Sequence, residues 1–110
     1  MRLDLTADEA ELVEALTDQV TRFARERIDA RAIDAAHDID YSIIEDMAEL
    51  GLFGLTIPEE HGGAGMSLQA ACAFVTEFAK YDRSVATTLG LHLGLGTRGL
   101  VAFGSDELQA

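Results

Sequence analysis

The chain has 110 residues, almost half of them apolar and a quarter charged, with a net charge of −12 and a single cysteine. That length fits one domain, or part of a larger one, with a single modest core. The acid excess excludes the basic footprint that nucleic acid requires and disfavours an anionic membrane surface, and one cysteine excludes an internal disulfide.

The first residues, MRLDLTADEAEL, have neither the basic stretch nor the apolar stretch of a secretion signal. No uninterrupted apolar run reaches membrane-span length. A cytoplasmic protein without a membrane span is the expectation.

Thr6-Ala-Asp-Glu9 reads as a capping box, with the Thr6 hydroxyl and the Glu9 carboxylate each serving an amide that the helix leaves free. Leu12, Val13, Leu16, Val20, Phe23 and Ile28 then recur at steps of three and four, which predicts a helix to about residue 30. Asp18 and Arg22 stand four apart in the favourable order. Residues 29–40 are polar and alanine-rich and read as a frayed end plus connector. Asp40 is an N-cap for a second helix over 41–50, with Ile43, Ile44, Met47 and Leu50 apolar and Gly51 as its left-handed stop.

Leu52 to Ile57 is an apolar run that ends at Pro58. The residue before a proline is pushed out of helical geometry, so the run is expected to be buried and non-helical, or briefly strand-like. A glycine-rich loop follows, Pro58-Glu-Glu-His-Gly-Gly-Ala-Gly65, in which His61 is expected as a partly exposed residue. Ser67 caps a third helix to about Tyr81. Leu68, Ala71, Cys72, Val75, Phe78 and Ala79 follow its period, Ala70, Phe74 and Tyr81 widen the stripe, and a helix this apolar is expected to be central. Cys72 is expected in the core.

Asp82-Arg83-Ser84 breaks and recaps the chain, and no charged residue occurs from Val85 to Thr97. Gly94-Leu-Gly-Thr-Arg-Gly99 spells the dinucleotide fingerprint, but its context does not fit. The segment after Gly99 is too short for the packing helix, no acid follows about twenty positions on, and the preceding segments read as helices. The helical reading of 84–103 places four glycines inside a helix, each costing about 1 kcal/mol relative to alanine. Either a neighbouring helix packs closely there, or one face walls an apolar ligand slot. His92 is expected to be a packed, hydrogen-bonded core residue. Gly104-Ser105 is a stop and a fresh N-cap close to the last residue, from which a natural chain continuing past Ala110 is expected.

The strings Leu50-Gly-Leu-Phe-Gly-Leu-Thr-Ile-Pro-Glu-Glu-His-Gly-Gly-Ala-Gly-Met-Ser67, Glu77-Phe-Ala-Lys-Tyr-Asp-Arg-Ser84 and Phe103-Gly-Ser-Asp-Glu107 together resemble the N-terminal helical domain of acyl-CoA dehydrogenases, over nearly the whole of 1–110. His61 departs from the tyrosine most often found there. The resemblance implies an all-α, bundle-like domain of three to four long helices, with the glycine-rich loop as a structural turn. It implies a parent flavoenzyme that desaturates acyl-CoA thioesters at the α,β position. FAD and the catalytic glutamate would be carried by domains outside this chain, so no catalytic, cofactor-binding or metal residue is assigned within it.

By the same resemblance, Thr88, Leu91 and Leu95 are candidate substrate-binding residues, one helical face walling the acyl-chain pocket. An acyl-CoA thioester, an electron-transfer acceptor and a homo-oligomeric state, dimer or tetramer, are implied for the parent. An acyl-CoA oxidase, a nitroalkane oxidase or a flavin monooxygenase would share this scaffold, and a free-standing helical interaction module is the reading without enzymatic activity.

Overall fold

The computed structural model describes residues 7–110, and among these there are helices and turns but no strands. Thr6, the first member of the expected capping box, lies outside the described residues. Helix α1 runs Ala7–Arg27 and buries Val20 and Ala24. The Asp18–Arg22 pair expected on it does not form. Instead Arg27, at its C-terminal end, pairs with Asp46 and donates to Ser42 Oγ at 3.0 Å, tying α1 to the third helix.

The segment 29–40 corrects the sequence reading. It contains a short helix, α2, Ala30–Ala36, whose N-cap Asp29 accepts from the amides of Arg31 and Ala32. His37 ends it in the left-handed region at φ 55°. Ile33 is the reason α2 holds its place: it is buried and brings one apolar contact to the core. Helix α3, Tyr41–Glu49, follows its prediction closely. Asp40 accepts from Ser42 N, Ile43 and Met47 are buried, and Gly51 at φ 80° turns the chain away. Hydrogen bonds from Ser42 hold the Asp40 carboxyl below its ordinary pKa.

The apolar run after α3 is a 3₁₀ turn, Leu52–Gly54, and not extended chain. Leu52 and Leu55 are nonetheless buried as expected. The glycine-rich loop doubles back along this run. Ala64 N donates to Gly54 O at 3.0 Å, Gly65 N to Ile57 O at 2.9 Å, and Met66 N to Leu55 O at 2.8 Å. A β-carbon on Gly63 would lie 2.1 Å from Ile57 O, so only glycine fits where the two strands of chain meet. His61 ends a second 3₁₀ turn, Glu59–His61, and is exposed.

Helix α4, Leu68–Ala79, starts at Ser67, whose hydroxyl accepts from Ala70 N at 3.2 Å. It is the central helix, packed on α1 and α5. Glu9 on α1 accepts from both the amide and the hydroxyl of Ser67, and Glu77 on α4 accepts from Thr21 Oγ1 at 2.9 Å. Start meets start and end meets end, so α1 and α4 run parallel, and residues 28–67 form the crossover that parallel packing requires. Just past the second link Phe23 meets Phe78 edge-on, with ring centres 6.3 Å apart.

The buried face of α4 is Ala70, Ala71, Phe74 and Phe78. The expected stripe is therefore rotated. Leu68 is 46% exposed, Ala79 is exposed, and Cys72 and Val75 are half-buried. Cys72 is thus not a core residue.

Candidate functional site

The segment after Asp82 carries every residue singled out as substrate-binding. Asp82 accepts from Val85 N at 2.9 Å and starts helix α5, Arg83–Leu91. A π-helical turn, His92–Gly96, and helix α6, Thr97–Phe103, continue it without a break. A last short helix, α7, Asp106–Gln109, is capped by Ser105. The expected helix over 84–103 is present, with one wide turn inserted. Thr97 N reaches back to His92 O, five residues earlier, which is the bond that defines such a turn.

Val85, Ala86, Leu89 and Leu93 are buried and fix one face of this segment on the core. The other faces are open. Leu91 is 50% exposed and Leu95 84%. Thr88 is half-buried, and its hydroxyl donates to Ser84 O at 2.8 Å, which leaves that oxygen only its acceptor capacity. None of the three is enclosed in a cavity by the described residues. They share an outward-facing apolar surface on an uncharged stretch of helix. His92 also differs from expectation: it is exposed, and its ring meets Phe53 edge-on at 4.9 Å with no hydrogen bond.

The glycines do not mediate close helix packing. A β-carbon on Gly90 would sit at an ordinary 3.7 Å from Val75 Cγ1, and one on Gly94 or Gly99 would meet nothing within 4 Å. Gly90 and Gly94 instead floor an apolar groove of about 300 Å³ against α4, bounded by Leu68, Cys72, Val75 and Leu93. The one-turn spacing of Gly90 and Gly94 was the visible sign of this groove. The α4 residues on its far side could not be separated from core residues by their period.

The same backbone excludes a pyrophosphate cradle. Such a loop must turn free amides toward the ligand, but residues 94–99 are wound into the π turn and α6, and their amides point along the helix. The glycine motif therefore does not fit the phosphates of a flavin dinucleotide. Among the described residues, no group of three or more His, Cys, Asp or Glu is placed to hold a metal ion, and no helix is long and apolar enough to cross a membrane.

Comparison with known proteins gives this arrangement a family. The chain is 33% identical over 101 residues to the very long-chain specific acyl-CoA dehydrogenase, mitochondrial, of Bos taurus, covering 92% of this chain and 15% of that protein. It is 33% identical over 110 residues to benzylmalonyl-CoA dehydrogenase of Aromatoleum aromaticum, covering 98% of this chain and 28% of that protein. A solved chain from work on the electron transferring flavoprotein of Acidaminococcus fermentans and flavin-based electron bifurcation superposes with a TM-score of 0.80 at 28% identity, over 99% of this chain and 28% of that one. The chain thus spans less than a third of the length of these relatives. The family profile described as acyl-CoA dehydrogenase, N-terminal domain, matches residues 10–110, and the chain belongs to that family.

Proposed function

We propose that this chain is the N-terminal domain of an FAD-dependent acyl-CoA dehydrogenase, and that it supplies one wall of the acyl-chain pocket through Thr88, Leu91 and Leu95. The observation that supports this most is the exposure of Leu91 and Leu95, at 50% and 84%, on a helix segment without a charged residue. Large apolar side chains held outward on a rigid helix suit an alkyl chain, for which each buried methylene contributes about 0.8 kcal/mol. The Thr88 lone pairs add one polar mark to that surface.

The parent would take acyl-CoA thioesters and remove hydrogen across the α,β bond. FAD would accept the hydride, and the electrons would pass on to an acceptor of the electron-transferring flavoprotein kind. The flavin and the catalytic base belong to parts of the parent outside this chain, which is why the present residues wall the pocket and take no part in the chemistry.

The test uses the full-length protein encoded at this locus. Leu95→Ser should lower kcat/KM for long acyl-CoA thioesters by about tenfold and leave short ones nearly unchanged, since the loss scales with buried methylenes. An equal loss for all chain lengths would remove Leu95 from the pocket wall. The 110-residue chain alone, mixed with FAD and an acyl-CoA, should not bleach the flavin.

A further inference from the structure

The π turn changes which side chains α6 sends inward. Before the turn, Ala86, Leu89 and Leu93 face the core. Carried on at steps of three and four, that face would next meet Gly96, Leu100 and Phe103. The structure instead buries Thr97 and half-buries Val101 and Gly104, while Gly96, Leu100 and Phe103 are exposed. Every inward position has moved on by one residue, and one residue is what the wide turn takes up.

The two registers bury different things. The observed one brings in Thr97, Val101 and Gly104, of which the last has no side chain. The other would bring in Leu100 and Phe103, now 43% and 91% exposed. Apolar burial therefore favours winding the segment without the wide turn. Local contacts favour the wide turn: Thr97 N donates to His92 O, and the His92 ring meets Phe53 edge-on. Opposed preferences of this kind make an element bistable. Sterically little resists the exchange. Even a β-carbon on Gly94 would meet nothing within 4 Å, and one on Gly96 only Leu91 O at 3.6 Å.

We propose that residues 92–103 form a two-register switch. In the first register the turn is π and Phe103 is presented outward. In the second the segment is α throughout, Thr97 N bonds Leu93 O, and α6 is turned by about 100°, so that Leu100 and Phe103 face inward. Gln109 Nε2 donates to the carbonyls of Leu100, Val101 and Gly104 at 3.0–3.1 Å, so α7 turns with α6. Phe103 is available to a partner only in the first register, and a partner that covers it holds the wide turn in place. The switch does not depend on what Leu91 and Leu95 wall.

The test is methyl NMR relaxation dispersion on the 110-residue chain. The Leu100 and Val101 methyls should exchange on the microsecond-to-millisecond scale, with a minor state of about 1–10%. The Leu89 methyls, which lie before the turn, should not. Leu100→Gln with Phe103→Gln changes two exposed positions and removes the apolar gain from turning, so the Val101 exchange should vanish. Val101→Gln loses burial only in the first register and should raise the minor population by about fivefold. Val101 methyls without exchange in the unsubstituted chain would overturn the proposal. Exchange that survives the paired substitution would do the same, since it would be fraying of the helix end and not a change of register. An unaltered minor population in Val101→Gln would also overturn it.

Discussion

Single glycines carry opposite meanings in this chain, and the difference is steric. At Gly63 a β-carbon would be driven into the Ile57 carbonyl at 2.1 Å, where the loop closes on the 3₁₀ run. Gly63→Ala should therefore cost about 2–3 kcal/mol, read as a lower midpoint in urea unfolding with an unchanged slope. At Gly94 the same methyl enters open space on a right-handed turn. Gly94→Ala should raise stability by about 0.5–1 kcal/mol in the same measurement. His61, His92 and Cys72 show where a single residue escapes sequence reasoning. The exposure of His61 is legible because proline and glycines around it dictate a loop. His92 and Cys72 sit in apolar helical patterns that look like core from either side. Only the packing of the neighbouring helix decides which side that is.

At the scale of elements, the caps were the most legible feature. Asp40, Ser67 and Ser105, each expected as an N-cap, accept from amides of the first turn, and within the expected Asp82-Arg83-Ser84 recap it is Asp82 that does so. Capping is a bond between residues two or three apart, so its whole cause is local. Helix α2 is not legible in the sequence although Asp29 carries the same signal, because seven residues with one buried apolar side chain give the period too little to work with. The π turn had no sequence signature beyond its glycines.

The parallel pairing of α1 with α4 was also unreadable, since Glu9 and Ser67 are 58 positions apart. This pairing has a pH consequence through Glu77. The hydrogen bond from Lys80 comes first among the causes that lower the Glu77 pKa below its ordinary value of 4.5, with Thr21 and Arg25 adding to it. A carboxyl lowered on folding stabilises fully above its unfolded pKa and loses that contribution as pH falls through the folded one. The chain should therefore lose stability on acidification below about pH 4.5. Glu77→Gln should be less stable at neutral pH and show a shallower acid limb in thermal unfolding. An identical acid limb in both proteins would show that Glu77 carries none of it.

For the whole molecule, the feature with most consequence is the apolar surface left outside the core. Leu91, Leu95 and Phe103 are 50%, 84% and 91% exposed along one continuous helical segment. Exposed patches of this kind mark contact surfaces. The 110-residue chain should bind an apolar fluorescent dye more strongly than an ordinary folded monomer does, and it should self-associate at high concentration. A paired substitution, Leu95→Lys with Phe103→Lys, should lower both signals without lowering the unfolding temperature. Dye binding at the ordinary level in the unsubstituted chain would mean that this surface is covered in solution.

The sequence by itself determined the helical class, the start and stop of most helices, the buried run before Pro58, the turn nature of the glycine-rich loop and the family. Each of these follows from residues a few positions apart, or from a string of them in fixed order. The tertiary structure decided which face of α4 meets the core, that Gly90 and Gly94 floor a groove, and that Leu91 and Leu95 point outward. Periodicity gives the angular spacing of side chains around a helix but not their orientation toward the rest of the molecule. Where a helix is apolar on more than one side, as α4 and the 84–103 segment are, that orientation is set by partners far away in the chain.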